Sequence, residues 1–256
     1  MEPSESGTSE SGASASRPSE SGVGTLLALS RLSCSYGRKH VVFDVDMTVG
    51  TGEIVSLFGH NGAGKTTIIK NVLGAYKPSG GSVRYAGEDI TGSSARANVR
   101  RGMALIPSER FVFGDLTVYE NLLLGAANLK DQSRHETLLA QVYELFPILQ
   151  ERSKQLAGTM SGGQQRMVSL GLALMTSPKL LLLDEPSLGL APAVVQQIFT
   201  AVRTLADDGL SVLLLEQNVG QALRISDRAY VMRSGRIILQ ESAEKMRARD
   251  SYWDLF

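Results

Sequence analysis

The chain is short of several things, and each shortage closes a route. Among 256 residues there is one cysteine, Cys34, so no internal disulfide can form and a reducing, cytosolic setting is expected. Charge of either sign is not in excess: Lys and Arg number 26, and Asp and Glu also number 26. No global field therefore draws the chain to nucleic acid or anionic lipid, and no nucleic-acid partner is expected. Nowhere does an apolar run approach the roughly 18 residues of a membrane span. The opening "MEPSESGTSESGASASRPSESG" has no basic n-region and no apolar h-region, so it does not read as a secretion signal. It also lacks large apolar side chains and cannot offset the entropy of ordering, so residues 1–22 are expected to be a disordered tail.

The whole chain is 43% hydrophobic, and what remains after the tail, residues 23–256, is long enough to bury a substantial core. Short apolar runs alternate with longer helical patterns, the habit of an α/β fold with a largely parallel sheet. "EIVSLFG" (53–59), "MALIP" (103–107), "KLLLLDEP" (179–186) and "SVLLLEQ" (211–217) have the length of buried strands. "LLALSRLSCSY" and "VVFDVDMTV" alternate apolar with polar and read as antiparallel, half-exposed strands. In "RAYVMRSGRIILQ", Ser234-Gly235 between two apolar runs signals a hairpin. Between Thr117 and Met160 the strand pattern disappears. "LTVYENLLLGAANL" and "RHETLLAQVYELFPIL" are helical in period, so a helical insert over about 115–175 is expected to interrupt the core.

"FGHNGAGKTTIIKNVLG" contains Gly59-x-x-x-x-Gly64-Lys65-Thr66, after a strand and before a helical run, which is the context a P-loop requires. Glycines let successive N–H groups point at phosphate oxygens, and the helix start adds its positive end. Lys65 would reach the β- and γ-phosphates and the Thr66 hydroxyl would ligate Mg²⁺. His60, inside the loop, reads as a solvent-facing residue. "LLLLDEPSLGL" places Asp184 and Glu185 at the C-terminal end of a buried strand, the edge where parallel α/β sheets bind ligands. Alternation along a strand sends adjacent side chains to opposite sides, so the two acids can take two jobs. Asp184 would hold Mg²⁺ and Glu185 would polarise the attacking water. "MSGGQ" (160–164) opens a further helix with a hydroxyl and free N–H groups, a second anion cradle that a single phosphate site does not need.

The P-loop at 59–66, "MSGGQ" at 160–164 and "LLLLDEP" at 180–186, in that order, resemble the ATPase subunits of ABC transporters over essentially all of residues 26–240. The resemblance implies a P-loop NTPase (RecA-like) core with an antiparallel β subdomain and an inserted helical subdomain that faces a membrane partner. It implies ATP and Mg²⁺ as cofactors, with nucleotide contacts from Gly59, Asn61, Gly62, Ala63, Gly64, Lys65, Thr66 and Thr67. Tyr36, in "SCSYG", matches the family's adenine-stacking aromatic. In the family two such domains sit head to tail, so Ser161, Gly162, Gly163 and Gln164 would close on the ATP held by a second ATPase subunit. "LTVYENLLLG", "PSLGLAP" and "LLLEQNVGQAL" further resemble the ATPase subunits of branched-chain amino acid importers, a pattern shared with importers of urea or short amides.

Three positions depart from the family pattern. The D-loop position usually held by Asp falls on Leu190 in "SLGLAP", or is displaced. The Q-loop position falls on Ser108 in "LIPSERFVF", or on Glu109 if the alignment slips by one; Ser is short and would reach Mg²⁺ only through a bridging water. Gln217 stands where most of the family has a switch His. Its amide still offers donors and an acceptor but does not titrate near neutral pH. The resemblance thus implies an ATPase on the cytoplasmic face of the membrane, with separate transmembrane permease subunits and, through them, a solute-binding protein. A non-transport member of the superfamily and a weakly active regulatory subunit are the alternatives. The transported solute, the choice of homo- or heterodimer and the role of Trp253 and Phe256 are not legible in this chain.

Overall fold

The computed structural model describes residues 24–109, 111–127, 129, 131–249 and 251–252. The Ser/Gly/Glu-rich tail expected over 1–22, and the closing Trp253 and Phe256, lie outside these residues.

The central sheet has the order β10-β9-β3-β8-β7-β6. Its inner strands β3 (Ile54–Phe58), β7 (Leu180–Asp184) and β8 (Ser211–Glu216) are buried along their whole length. They run parallel to one another and to the flanking β6 (Met103–Ile106) and β9 (Arg228–Arg233). Continuous apolar runs fit because both faces are covered. Ile54, Phe58, Leu181, Leu183, Val212 and Leu214 face one cluster with α6 (Gly162–Leu174) and α7 (Pro192–Asp207). Val55, Leu57, Leu180, Leu182, Leu213 and Leu215 face the other, which holds α1 (Lys65–Leu73) and the second sheet. The period-2 split of each strand therefore sorts its residues between two cores.

The second sheet, β2-β1-β4-β5, is antiparallel. Its strands β1 (Thr25–Tyr36) and β2 (Lys39–Gly50) are the two alternating runs. The pair β4 (Gly80–Tyr85) and β5 (Glu88–Asp89) turns at Ala86 and Gly87, both at positive φ. β9 and β10 (Arg236–Ser242) form the hairpin read from Ser234-Gly235, whose φ values of 49° and 82° match a turn with two left-handed central residues. Arg228 ties the sheets together. Its guanidinium donates to both Glu53 carboxylate oxygens at 2.8 and 2.9 Å and to the Thr48 carbonyl at 3.0 Å.

Among the described residues, four α-helices and a short 3-10 turn (Ala157–Thr159) separate β6 from β7: α3 (Val118–Ala126), α4 (Gln132–Leu145), α5 (Pro147–Glu151) and α6. A capping box of Thr117 and Glu120 starts α3. Pro147 ends the helical run of α4 and opens α5. α3 and α6 cross closely at Gly125, where a Cβ would lie 2.1 Å from the Leu172 carbonyl oxygen. The shorter α2 (Ala95–Arg100), α8 (Val219–Ala222) and α9 (Ala243–Arg247) complete the described chain.

Candidate nucleotide site

The strand β3 ends at Phe58, and the chain loops through residues 59–64 before α1 begins at Lys65. Neighbouring backbone shapes this loop. A Cβ on Gly59 would lie 2.5 Å from the Met232 carbonyl oxygen, and one on Gly64 would lie 2.8 Å from Met232 Cε. The turn of the β9–β10 hairpin holds the loop from outside, since the Gly235 N–H donates to the buried Ala63 carbonyl at 2.9 Å. Gly62 (φ 81°) and Gly64 (φ 112°) supply left-handed turns. Gly64 is the N-cap of α1 and gives no side-chain cap. The first N–H groups of the helix therefore face the loop unclaimed by a side chain, which suits an anion.

Lys65 is buried, and its ammonium donates to the Gly59 carbonyl at 2.7 Å and the His60 carbonyl at 3.3 Å. It also pairs with Glu185 Oε1 at 3.3 Å. Thr66 Oγ1 donates to the Asp184 carboxylate at 3.1 Å. Burial pushes the Asp184 carboxyl above its ordinary range, and the Thr66 hydroxyl pulls against that shift. A hydroxyl and a carboxylate side by side are hard oxygen donors of the kind Mg²⁺ takes. Among the described residues no cluster of three or more His, Cys, Asp or Glu could hold a metal. Mg²⁺ beside phosphates needs only one or two protein oxygens, so the donor set fits.

The acid pair is arranged differently from an alternating strand. β7 stops at Asp184, and Glu185 takes a left-handed conformation, φ 49°. That turn swings its side chain onto the P-loop as well, so both acids converge on one site through different P-loop residues. Gln217 joins them. Its Nε2 donates to Glu185 Oε1 and to Asn61 Oδ1, each at 2.8 Å. Tyr36 stands at the end of β1, 40% exposed, with its hydroxyl 3.4 Å from Thr67 Oγ1. A second aromatic, missed in the sequence, meets it edge-on: the Tyr76 ring centroid lies 5.1 Å away. The exposed aromatic just past the C-cap of α1 was the available signal.

Ser161 caps α6, accepting from the Gln164 N–H, while Gln164 Oε1 accepts from the Ser161 N–H. Gly163 is needed for packing too, because a Cβ there would meet Val194 Cγ1 at 2.7 Å. Among the described residues no hydrogen bond joins 161–164 to the P-loop cluster. The half-buried Ser108 is likewise not bonded through its hydroxyl to Thr66 or Asp184. Its carbonyl and that of Pro107 accept from the Arg166 guanidinium, and Ser169 Oγ donates to the Phe111 carbonyl at 2.6 Å. The segment after β6 is therefore fastened to α6, a link the sequence reading did not contain. A groove of about 1270 Å³ between α4–α5 and α7 includes none of these residues.

A phosphate loop between β3 and α1, with an acidic strand end against it, is the working geometry of a P-loop NTPase. The helices inserted ahead of β7 make this one an ATP-binding cassette ATPase, an enzyme that uses ATP and Mg²⁺. The chain belongs to the ABC transporter family, whose model matches residues 42–188. It is 45% identical over 231 residues to the high-affinity branched-chain amino acid transport ATP-binding protein BraG of Pseudomonas aeruginosa, covering 89% of this chain and 99% of that one. It is 34% identical to the probable branched-chain amino acid transport ATP-binding protein LivF of Archaeoglobus fulgidus, over 89% of this chain and 96% of that one. The lipopolysaccharide export ATP-binding protein LptB of Haemophilus influenzae is 37% identical, over 87% and 92%. Among solved structures, the ADP conformation of MJ1267, an ATP-binding cassette of an ABC transporter, superposes with a TM-score of 0.81. It is 28% identical and covers 90% of this chain and 96% of that one. ATPase subunits of such transporters work with transmembrane permeases, and no helix among the described residues is long and apolar enough to cross a membrane.

Proposed function

We propose that this chain powers the import of branched-chain amino acids or closely related solutes, working at the cytoplasmic face of the membrane. The support is its 45% identity to a branched-chain amino acid transport subunit along 99% of that protein, against 37% to the lipopolysaccharide export protein. Its partners are permease subunits, a second ATPase subunit and, through the permeases, a solute-binding protein. No nucleic acid is part of the assembly.

The observation that carries the catalytic reading is the contact of Glu185 with both Lys65 and Gln217 beside the Thr66–Asp184 pair. Lys65 and the N–H groups of Gly62, Ala63, Gly64, Thr66 and Thr67 bind phosphate oxygens, with Gly59 and Asn61 shaping the loop. Tyr36 stacks on the adenine. Thr66 and Asp184 would hold Mg²⁺, with Ser108 reaching it through water; when bound, the ion would supply charge neutralisation at the phosphates. Glu185 accepts a hydrogen bond from the attacking water and orients it, while Gln217 holds the Glu185 carboxylate in place with one N–H; its other N–H, which donates to Asn61, turns to the γ-phosphate when ATP binds. Ser161, Gly162 and Gly163 of a second subunit supply N–H and hydroxyl donors to the transferring phosphoryl group, with Gln164 as their cap. The open face of the P-loop agrees with a site shared between subunits.

The test is ATP turnover and solute uptake by the chain reconstituted with its permeases, compared with Glu185→Gln. Turnover should fall by roughly a hundredfold or more, the size expected of a lost general base, and labelled leucine, isoleucine or valine should enter only with the wild type. Equal turnover in both overturns the catalytic assignment. ATP-dependent turnover with no amino acid uptake overturns the importer assignment alone.

A further inference from the structure

Glu216, the last residue of β8, has no part in the chemistry above, yet it is a carboxylate only 2% exposed in a strand otherwise made of apolar residues and Ser211. A charge in such a place is costly unless donors surround it. They do: Oε1 accepts from the Ser187 N–H at 2.9 Å and Oε2 from the Gln217 N–H at 3.2 Å. The backbone of Asn218 adds to them. Burial pushes this carboxyl up, and these donors pull against the shift. N–H groups accept nothing in return, so these donors address the acceptor oxygens of the carboxyl and offset part of the cost of burying its charge.

The donors come from two segments that each carry a reacting side chain. Ser187 lies in the turn that follows Glu185, and Gln217 follows Glu216 directly. The Glu185 N–H donates to the Leu215 carbonyl at 2.9 Å, one residue before Glu216. Two links, one backbone to backbone and one from the Ser187 N–H to the Glu216 side chain, thus lock the left-handed turn at Glu185 to the end of β8. Across that junction the Glu185 and Gln217 side chains meet at 2.8 Å. A displacement of either loop by about an ångström would break this contact, and misplacement on that scale can cost about a hundredfold in rate.

We propose that Glu216 is a positioning residue for ATP hydrolysis: its buried carboxylate ties the turn that carries Glu185 to the strand end that carries Gln217, and so sets their contact. This rests on the roles given above to Glu185 and Gln217. The same tie joins the turn at 187–190 to the hydrolysis site, so a partner that moves this turn also moves Gln217.

The experiment is a double-mutant cycle in the reconstituted transporter, with kcat, KM for ATP and the melting temperature read for each variant. Glu216→Gln is nearly isosteric and keeps one acceptor. It should lower kcat about tenfold with KM changed less than threefold, and Glu216→Ala should lower kcat further. In a Gln217→Ala background, the same substitutions should lower kcat less than twofold, because the Glu185–Gln217 contact that Glu216 sets is gone. Equal losses in both backgrounds overturn the proposal and make Glu216 a structural carboxylate. So does a lowered melting temperature with kcat unchanged. A Gln217→Ala variant with wild-type kcat overturns the role of Gln217 itself, and the proposal with it. Amide exchange at Ser187 and Gln217 reads the tie without activity: Glu216→Gln should speed exchange at both, and unchanged protection sinks the proposal whatever the rates.

Discussion

Replacing Gln217 by alanine removes two side-chain hydrogen bonds, one to the Glu185 carboxylate and one to Asn61. The first is charge-assisted and falls in the class worth about 1.5–3 kcal/mol, while the neutral amide pair is worth about 0.5–1.5 kcal/mol. Only the first bears on the water-orienting carboxylate. If its loss is felt in the transition state alone, kcat should fall about 10- to 100-fold, at about 1.4 kcal/mol per tenfold. ATP affinity should change less than threefold, because Lys65 and the loop N–H groups are untouched. Steady-state phosphate release alongside equilibrium nucleotide binding separates the two quantities. Parallel losses in kcat and affinity would refute the reasoning and leave Gln217 as a polar residue at a strand end. The companion variant Gln217→His keeps a donor but adds a group titrating near pH 6.5. Its rate profile should gain a limb in that region that the wild type lacks.

Other expectations follow from single contacts. Tyr36→Ala should weaken purine nucleotide binding by roughly 5- to 100-fold, the range of about 1–3 kcal/mol for a base–aromatic stack, with kcat nearly unchanged; fluorescence titration with ATP and with a base-free triphosphate tests it. Gly125→Ala places a methyl 2.1 Å from the Leu172 carbonyl oxygen, a backbone clash that no rotamer relieves. Its cost of about 1–3 kcal/mol should lower the melting temperature by several degrees. Glu216 has a carboxyl raised by burial, so between the ordinary glutamate range and its raised value the folded chain holds a proton the unfolded chain has released. Stability should therefore fall as pH rises through that window, and denaturant unfolding of Glu216→Gln should have a flatter slope there.

The parts of the fold written in period and spacing were legible before any coordinates. Four apolar runs became β3, β6, β7 and β8, because a strand covered on both faces must be apolar throughout. The hairpin at Ser234-Gly235 was equally open, since two left-handed residues in a row are a local demand. β4 and β5 were not seen. They are short, partly exposed and joined through Ala86-Gly87, so their pattern is weak. In the candidate site, the P-loop and Asp184 are local motifs and can be read along the chain. The Glu216 contacts span residues 187 and 216, and the Arg166 contacts span 107 and 166. Neither pairing has a signal along the chain, since only the sheet order and the insert bring those segments together.

The acid pair marks where strand logic stops being a guide. Continued alternation would send Asp184 and Glu185 to opposite faces of the sheet, and only one could reach the P-loop. The left-handed turn at Glu185 avoids this, although for a residue with a Cβ it costs about 1–2 kcal/mol. Such a conformation persists only where its surroundings over-determine it. Here the Glu185 N–H is held by the Leu215 carbonyl, the Glu185 carbonyl accepts from the Leu188 N–H at 3.2 Å, and Ser187 is held by Glu216. Side-chain contacts then add the Lys65 ion pair and the Gln217 amide. Strain thus falls on the residue whose placement the hydrolytic reading requires, and the bonds that maintain it come from its own turn, from Lys65 and from the end of β8. The end of that strand, Glu216-Gln217, is therefore one device: the carboxylate fixes the backbone on both sides of the site, and the amide fixes the side chain between them.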